Sequence, residues 1–236
     1  MTSVFSARGV SVSFGGVRAL AGVDLDIEPG QLVGLIGPNG AGKTTFIDAV
    51  TGFVRYAGRV ELGGESLDGL PPHTRARRGL ARTWQTVELF DDLTVRENLT
   101  VAARDGAAVS VDDELKLLDL EAAADAMPWE LSQAERKRAG IGRALVARPR
   151  LLCLDEPAAG LDARQSRELG LLLPGIARSG TAVLLVDHDM GLVLSSCDLV
   201  VVLDAGSVIA RGTPAQVRAD ERVVAAYLGH SAAGAA

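Results

Sequence analysis

The sequence predicts an α/β fold with a mixed sheet at its core, and three observations carry that reading. Leu151 to Leu154 and Ala182 to Val186 are apolar runs without polar alternation, the pattern of parallel strands covered on both faces. A third run, Leu32 to Ile36, ends in a glycine-rich loop and leads into a helical pattern, the strand–loop–helix order of a parallel unit. Between these runs, from about residue 72 to 148, Ala, Leu, Arg and Glu recur at helical spacing and predict a helical subdomain inserted in the core.

The elements follow in order. Val4 to Ile27 alternates apolar and polar residues around Gly15-Gly16 and reads as short antiparallel strands with a turn. Pro29-Gly30 marks the next turn. The helix after the glycine-rich loop runs from Gly42 to about Val50 and ends at Gly52. Gly58 to Leu62 is a further strand, closed by Gly63-Gly64, so the N-terminal part forms an antiparallel β subdomain. Within the helical segment, Asp112 to Ala126 has the clearest spacing, and Pro149 closes it. Arg164 to Ala177 reads as a helix, Asp198 to Ala210 as a hairpin turning at Ala205-Gly206, and Pro214 to Tyr227 as a last helix. The tail from Ser231 to Ala236 is expected to fray. There is no internal repeat, and residues 1–236 read as a single domain.

Composition narrows the function. The chain has 236 residues, 47% of them hydrophobic and 23% charged, which suits a globular core and excludes wholesale disorder. Lys and Arg number 24 against 30 Asp and Glu, a balance of 24 − 30 = −6 that argues against a nucleic-acid partner. Cys153 and Cys197 lie in apolar runs and read as buried free thiols, in keeping with a reducing compartment. Arg8 interrupts the N-terminus before a secretory signal could develop, and no run reaches the roughly 18 apolar residues of a membrane span.

The most specific segment is Gly37-Pro38-Asn39-Gly40-Ala41-Gly42-Lys43-Thr44-Thr45, which matches G-x-x-x-x-G-K-[ST] between a buried strand and a helix. Glycines let successive backbone N–H groups turn toward phosphates, and the helix start adds partial positive charge. Lys43 neutralises the β- and γ-phosphates of a nucleotide, and Thr44 is a ligand for Mg²⁺. Far along the chain, Leu151 to Leu154 ends in Asp155-Glu156. A carboxylate at that strand end sits beside the same Mg²⁺, and its neighbour Glu156 is placed to polarise a water for in-line attack on the γ-phosphate.

The ordered set Gly37–Thr45, Gln85, Leu131–Glu135, Leu151–Glu156, Gly160–Asp162 and His188 resembles that of the ATP-binding-cassette (ABC) ATPases, over nearly the whole chain. The resemblance implies a P-loop NTPase fold of that type, with ATP and Mg²⁺ as cofactors. It implies that Phe14 stacks on adenine, where the family often has Tyr and Phe keeps the stacking face. Gln85 would touch Mg²⁺ or the attacking water and sense a membrane partner. His188 would hydrogen-bond the γ-phosphate, and Asp162 would reach across a dimer interface. Ser132 would present its helix start to ATP bound on a second ATPase subunit. Transmembrane permease subunits are the other implied partners, with membrane contact only through them and a peripheral place on the cytoplasmic face.

One segment departs from the family pattern. Leu131-Ser132-Gln133-Ala134-Glu135 stands where Leu-Ser-Gly-Gly-Gln is usual. Ser132 keeps the N-cap, but Glu135 puts a charge near an anion. This admits two readings: an asymmetric pair in which a partner with an intact segment completes the competent site, or a branch that tolerates the change.

Local strings are similar to the branched-chain amino acid import ATPases: Thr51-Gly52-Phe53, Arg82-Thr83-Trp84-Gln85, Asp155-Glu156-Pro157-Ala158-Ala159-Gly160-Leu161-Asp162 and His188-Asp189-Met190. That branch in turn resembles urea and amide importers and the ATPase of lipopolysaccharide export. The expected function is therefore an ATPase that energises a transporter, with import of branched-chain amino acids or similar small solutes first. A weakly hydrolysing regulatory subunit of an asymmetric pair and a soluble non-transport ABC ATPase are the alternatives. The expected docking surface runs from Gln85 to Leu99, where Val87, Leu89, Phe90 and Leu93 interrupt a polar segment.

Overall fold

The computed structural model describes residues 3–86, 88–103 and 110–233, with side chains up to 227 in the last helix. Two sheets stack with helices around them. The first is antiparallel, in the order β2-β1-β4-β5. It comprises β1 (Phe5–Phe14), β2 (Val17–Ile27), β4 (Ala57–Leu62) and β5 (Glu65–Ser66). Its alternation is that of a sheet with one wet face: Phe5, Ala7, Val10 and Val12 are buried while their neighbours are not.

The second sheet has the order β10-β9-β3-β8-β7-β6. It comprises β3 (Leu32–Ile36), β6 (Leu80–Arg82), β7 (Leu151–Asp155), β8 (Ala182–Val186), β9 (Leu199–Asp204) and β10 (Ser207–Gly212). All pairings except β9 with β10 are parallel. Every residue of β3, β7 and β8 is buried, which is why these strands read as unbroken apolar runs. Period-two alternation still sorts their side chains. Leu151 and Cys153 join Phe5, Phe46 and Leu184 in the core between the sheets. Leu152 and Leu154 face Leu99, Ile141 and Leu173 on the other side.

Nine helices complete the described residues: α1 (Lys43–Thr51), α2 (Pro72–Arg77), α3 (Val95–Thr100), α4 (Val111–Leu117), α5 (Gln133–Leu145), α6 (Ala163–Arg178), α7 (Met190–Ser196), α8 (Pro214–Arg218) and α9 (Glu221–Ala233). None is long and apolar enough to cross a membrane. Because β3, β6, β7 and β8 run parallel, their carboxyl ends lie along one edge of the sheet. That edge receives the glycine-rich loop, Gln85, Asp155-Glu156 and Asp187-His188 together.

Three local expectations change. Leu80–Arg82 falls inside the range 72–148 but is an edge strand of the main sheet, paired with Leu151 to Cys153. Three residues are too few to show a period. The helix expected over Asp112 to Ala126 stops at Leu117, because Asp119 takes φ 53° and a short 3₁₀ turn, Glu121–Ala123, follows. The last helix is two: α8 ends before Asp220, whose carboxylate accepts the Arg222 backbone N–H at 2.9 Å and starts α9. Of the tail expected to fray, residues 231–233 belong to α9 and 234–236 lie outside the described residues, as does Val87. Both cysteines are buried free thiols, and burial pushes each up to about 12.

Candidate functional site

The phosphate loop is shaped by what surrounds it. Gly37 has φ 154°, and a Cβ there would collide with the Leu203 carbonyl oxygen. From the β9–β10 turn, Gly206 donates its N–H to Ala41 O at 3.0 Å and accepts the Ala21 N–H at 2.8 Å. A Cβ on Gly206 would meet Ala19 O at 2.6 Å, so this second glycine supports the loop from outside it. Lys43 curls over the loop and donates to Gly37 O at 2.7 Å and Pro38 O at 3.1 Å. Its ammonium is buried, and desolvation lowers its pKa against the opposing pull of Glu156, Asp155 and Asp187. Thr44 is exposed at the start of α1, where the unsatisfied N–H groups gather.

Asp155 ends β7 buried, and Arg82 from β6 donates to its Oδ2 at 2.7 Å. The same guanidinium donates to Asp48 Oδ1 at 2.5 Å and lies 4.1 Å from the Trp84 ring centroid. Asp155 Oδ1 has no hydrogen bond among the described residues. No group of three His, Cys, Asp or Glu there forms an all-protein metal cage. A hydroxyl and a carboxylate are the kind of oxygen donors that suit Mg²⁺, which keeps waters and takes phosphate oxygens.

Glu156 adopts φ 47°, uncommon for a residue with a Cβ, and is pinned there by its N–H to Val186 O at 2.7 Å. The Gln85 amide donates to Glu156 Oε2 at 2.9 Å. His188 Nδ1 stands 3.9 Å from the same oxygen and 3.6 Å from Asp187 Oδ1, too far for hydrogen bonds. Asp187 is fully buried and accepts the N–H groups of Ala158 and Asp189 at 3.1 and 2.9 Å. It thereby ties the loop after Glu156 to the segment carrying His188. Lys137, from α5, donates to Gln85 O at 2.7 Å.

The remaining expected residues sit apart. Phe14 is 52% exposed at the β1–β2 turn, so it is not a core residue. Ser132 caps α5: its hydroxyl accepts the Glu135 N–H at 3.3 Å, and Glu135 Oε2 accepts the Ser132 N–H at 2.8 Å, a capping box. Gln133 lays its amide against Gly160. Asp162 caps α6 within its own chain, accepting the N–H groups of Arg164 and Gln165 at 2.8 Å, which lowers its pKa. Sequence reasoning quoted Arg82 and Asp187 only as parts of strings, read Gly206 only as a hairpin turn, and missed Lys137. The one sequence signal for Asp187 is its place directly before His188.

Comparison with known proteins identifies the family and the fold. The ABC transporter family profile matches residues 20–159, and a branched-chain amino acid ATP-binding cassette transporter profile matches residues 207–233. The high-affinity branched-chain amino acid transport ATP-binding protein BraF of Pseudomonas aeruginosa is 38% identical, over 97% of this chain and 98% of that one. The lipopolysaccharide export system ATP-binding protein LptB of Escherichia coli K12 is 35% identical, over 96% and 98%. Among solved structures, the ADP conformation of an ATP-binding cassette of an ABC transporter superposes with TM-score 0.86 at 27% identity, over 97% of this chain and 100% of that one.

Proposed function

This chain belongs to the ABC transporter family, and we propose that it energises the import of branched-chain amino acids or similar small solutes. It is an ATP-binding ATPase subunit of a transporter. The single observation that carries the chemistry is the meeting of Gln85, Glu156 and His188 beside the phosphate loop. Support for the solute class comes from the branched-chain profile over 207–233 and the 38% identity to BraF.

In this reading the ATP phosphates lie against the N–H groups of Gly37 to Thr45, and Lys43 releases the loop carbonyls to reach the β- and γ-phosphates. Phe14 stacks on the adenine. Thr44 and Asp155 are the residues that would hold Mg²⁺, with Gln85 close by. When bound, Mg²⁺ would supply positive charge against the negative charge that develops on the phosphoryl group. Arg82 holds the Asp155 carboxylate in place through its hydrogen bond to Oδ2. Glu156 takes a proton from the attacking water, a step worth about 10²- to 10⁴-fold. Gln85, already on Glu156 Oε2, orients that water, and His188 turns from its present place to the γ-phosphate.

Ser132 and the start of α5 complete the site of a second ATPase subunit, with Asp162 in the contact. The Glu135 carboxylate is engaged within its own chain by the Ser132 N–H and hydroxyl, and the second subunit is taken as another copy of this chain. Permease subunits dock against the cleft of about 860 Å³ lined by Trp84, Gln85, Leu89, Phe90, Ile141 and Arg143. Docking there keeps the chain peripheral, on the cytoplasmic face.

The test is reconstitution of this subunit with its permease subunits and solute-binding protein in proteoliposomes. ATP-dependent uptake of labelled leucine, isoleucine or valine supports the import reading. The 35% identity to LptB favours a second reading, lipopolysaccharide export. Hydrolysis stimulated by lipopolysaccharide but not by any branched-chain amino acid would replace the first reading with that one.

A further inference from the structure

We propose that Lys137 is a positioning residue for hydrolysis: it ties the start of α5 to Gln85 and so keeps the Gln85 amide on Glu156. The proposal rests on the reading of Glu156 as the base.

The geometry is a relay of two hydrogen bonds. Lys137 Nζ donates to the Gln85 carbonyl at 2.7 Å, and the Gln85 side chain donates to Glu156 Oε2 at 2.9 Å. Lys137 lies five residues after Ser132, on the helix whose start is the proposed contact with a partner's nucleotide. A displacement of that helix therefore reaches Glu156 through two side chains, Lys137 and Gln85.

Lys137 is 7% exposed, and an ammonium in such a place loses its hydration. Burial lowers its pKa, while Asp187 and Glu156 hold the proton on. Packing alone would be served better by an uncharged side chain of the same length. The desolvation is compensated by the carbonyl and by the two carboxylates, which places a functional demand on the charge.

The segment it holds is anchored at both ends and by Trp84, whose ring lies on Arg82 and Phe53. Thr83 N–H donates to Cys153 O at 2.9 Å at one end, and Phe90 N–H donates to Asn98 Oδ1 at 2.8 Å at the other. Between them, α5 supplies two cations to backbone carbonyls: Lys137 to Gln85 and Arg143 to Glu88. Arg143 also stacks on Phe90 and is accounted for by that contact, whereas Lys137 has no aromatic partner among the described residues.

The test is a double-mutant cycle on the full chain, with steady-state ATP hydrolysis as one readout. Lys137→Met is expected to lower kcat about tenfold with KM changed less than about twofold. Lys137→Arg, which can still donate to the Gln85 carbonyl, is expected to stay within about threefold of wild type. Gln85→Ala lowers kcat by itself, and adding Lys137→Met to it should change the rate by less than about twofold, because both act through one contact. A second readout uses Trp84, in a Trp129→Phe background. Without nucleotide, acrylamide should quench Trp84 more strongly in Lys137→Met than in the parent. If Lys137→Met does not fold, Lys137→Gln takes its place in the cycle. Multiplicative losses, or an unchanged kcat in Lys137→Met, overturn the proposal. A wild-type chain without ATPase activity, or a Glu156→Gln variant with full activity, overturns instead the reading on which it rests.

Discussion

Glu135 returns its carboxylate to Ser132: Oε2 accepts the Ser132 backbone N–H at 2.8 Å and the hydroxyl at 2.6 Å. The negative charge thus lies on the positive end of its own helix. The residue at which the sequence departs from the family pattern closes a capping box. Ser132 holds the Glu135 carboxyl below its ordinary value of 4.5, so the folded chain binds fewer protons at this site than the unfolded chain does. The stabilisation is complete above the ordinary value and is lost as pH falls through the lower folded value. Glu135→Gln is expected to lower the thermal midpoint modestly at neutral pH. The gap should close in acid, read from unfolding curves between about pH 3 and pH 6.

Arg82 joins two carboxylates that would otherwise repel. Its side chain and that of Asp155 are 6% and 8% exposed. Removing the cation leaves a buried carboxylate unpaired, which costs on the order of 3–5 kcal/mol. Arg82→Met should therefore shift the denaturant midpoint well below wild type, and Arg82→Lys should recover only part, since one ammonium cannot serve Asp48 and Asp155 in the fork geometry.

Gly206 lies far beyond the phosphate loop in the sequence and yet shapes it. At φ 79°, and with Ala19 O only 2.6 Å from where a Cβ would stand, Gly206→Ala must move either β2 or the loop. We expect weaker ATP binding by about tenfold or more, measured by titration with a fluorescent ATP analogue, against a smaller change in the thermal midpoint.

Phe14 is 52% exposed, so its removal takes little from the core. Phe14→Ala should weaken ATP binding by an amount typical of a lost stacking contact, about 1–3 kcal/mol. Phe14→Tyr should bind as wild type does, because the ring face is kept. Both are read by calorimetric titration, with unfolding midpoints as the control.

The parts of the site legible in the sequence were those written in one contiguous stretch. Gly37 to Thr45 carries its own strand, turn and helix start, and Asp155-Glu156 closes an unmistakable buried strand. Gln85 and His188 needed the family resemblance, because a lone amide or imidazole has no local pattern. Arg82, Lys137 and Asp187 were not legible. Their roles come from partners 73, 52 and 29 residues away, brought close by parallel strand order and by α5 crossing over the Gln85 segment. In the fold, β6 escaped notice because three residues show no period. The expected single helices over 112–126 and 214–227 broke where Asp119 takes a left-handed conformation and where Asp220 caps a new start.

The central claim is that Glu156, held in its unusual backbone conformation with Gln85 on its side chain, is the base of an ATPase site. The most direct measurement is ATP hydrolysis and ATP binding by Glu156→Gln beside wild type. A fall in kcat of about 10²-fold or more, with ATP affinity preserved and an ATP–Mg²⁺-dependent doubling of solution mass, is the result this account expects. Hydrolysis at the wild-type rate by Glu156→Gln would contradict it.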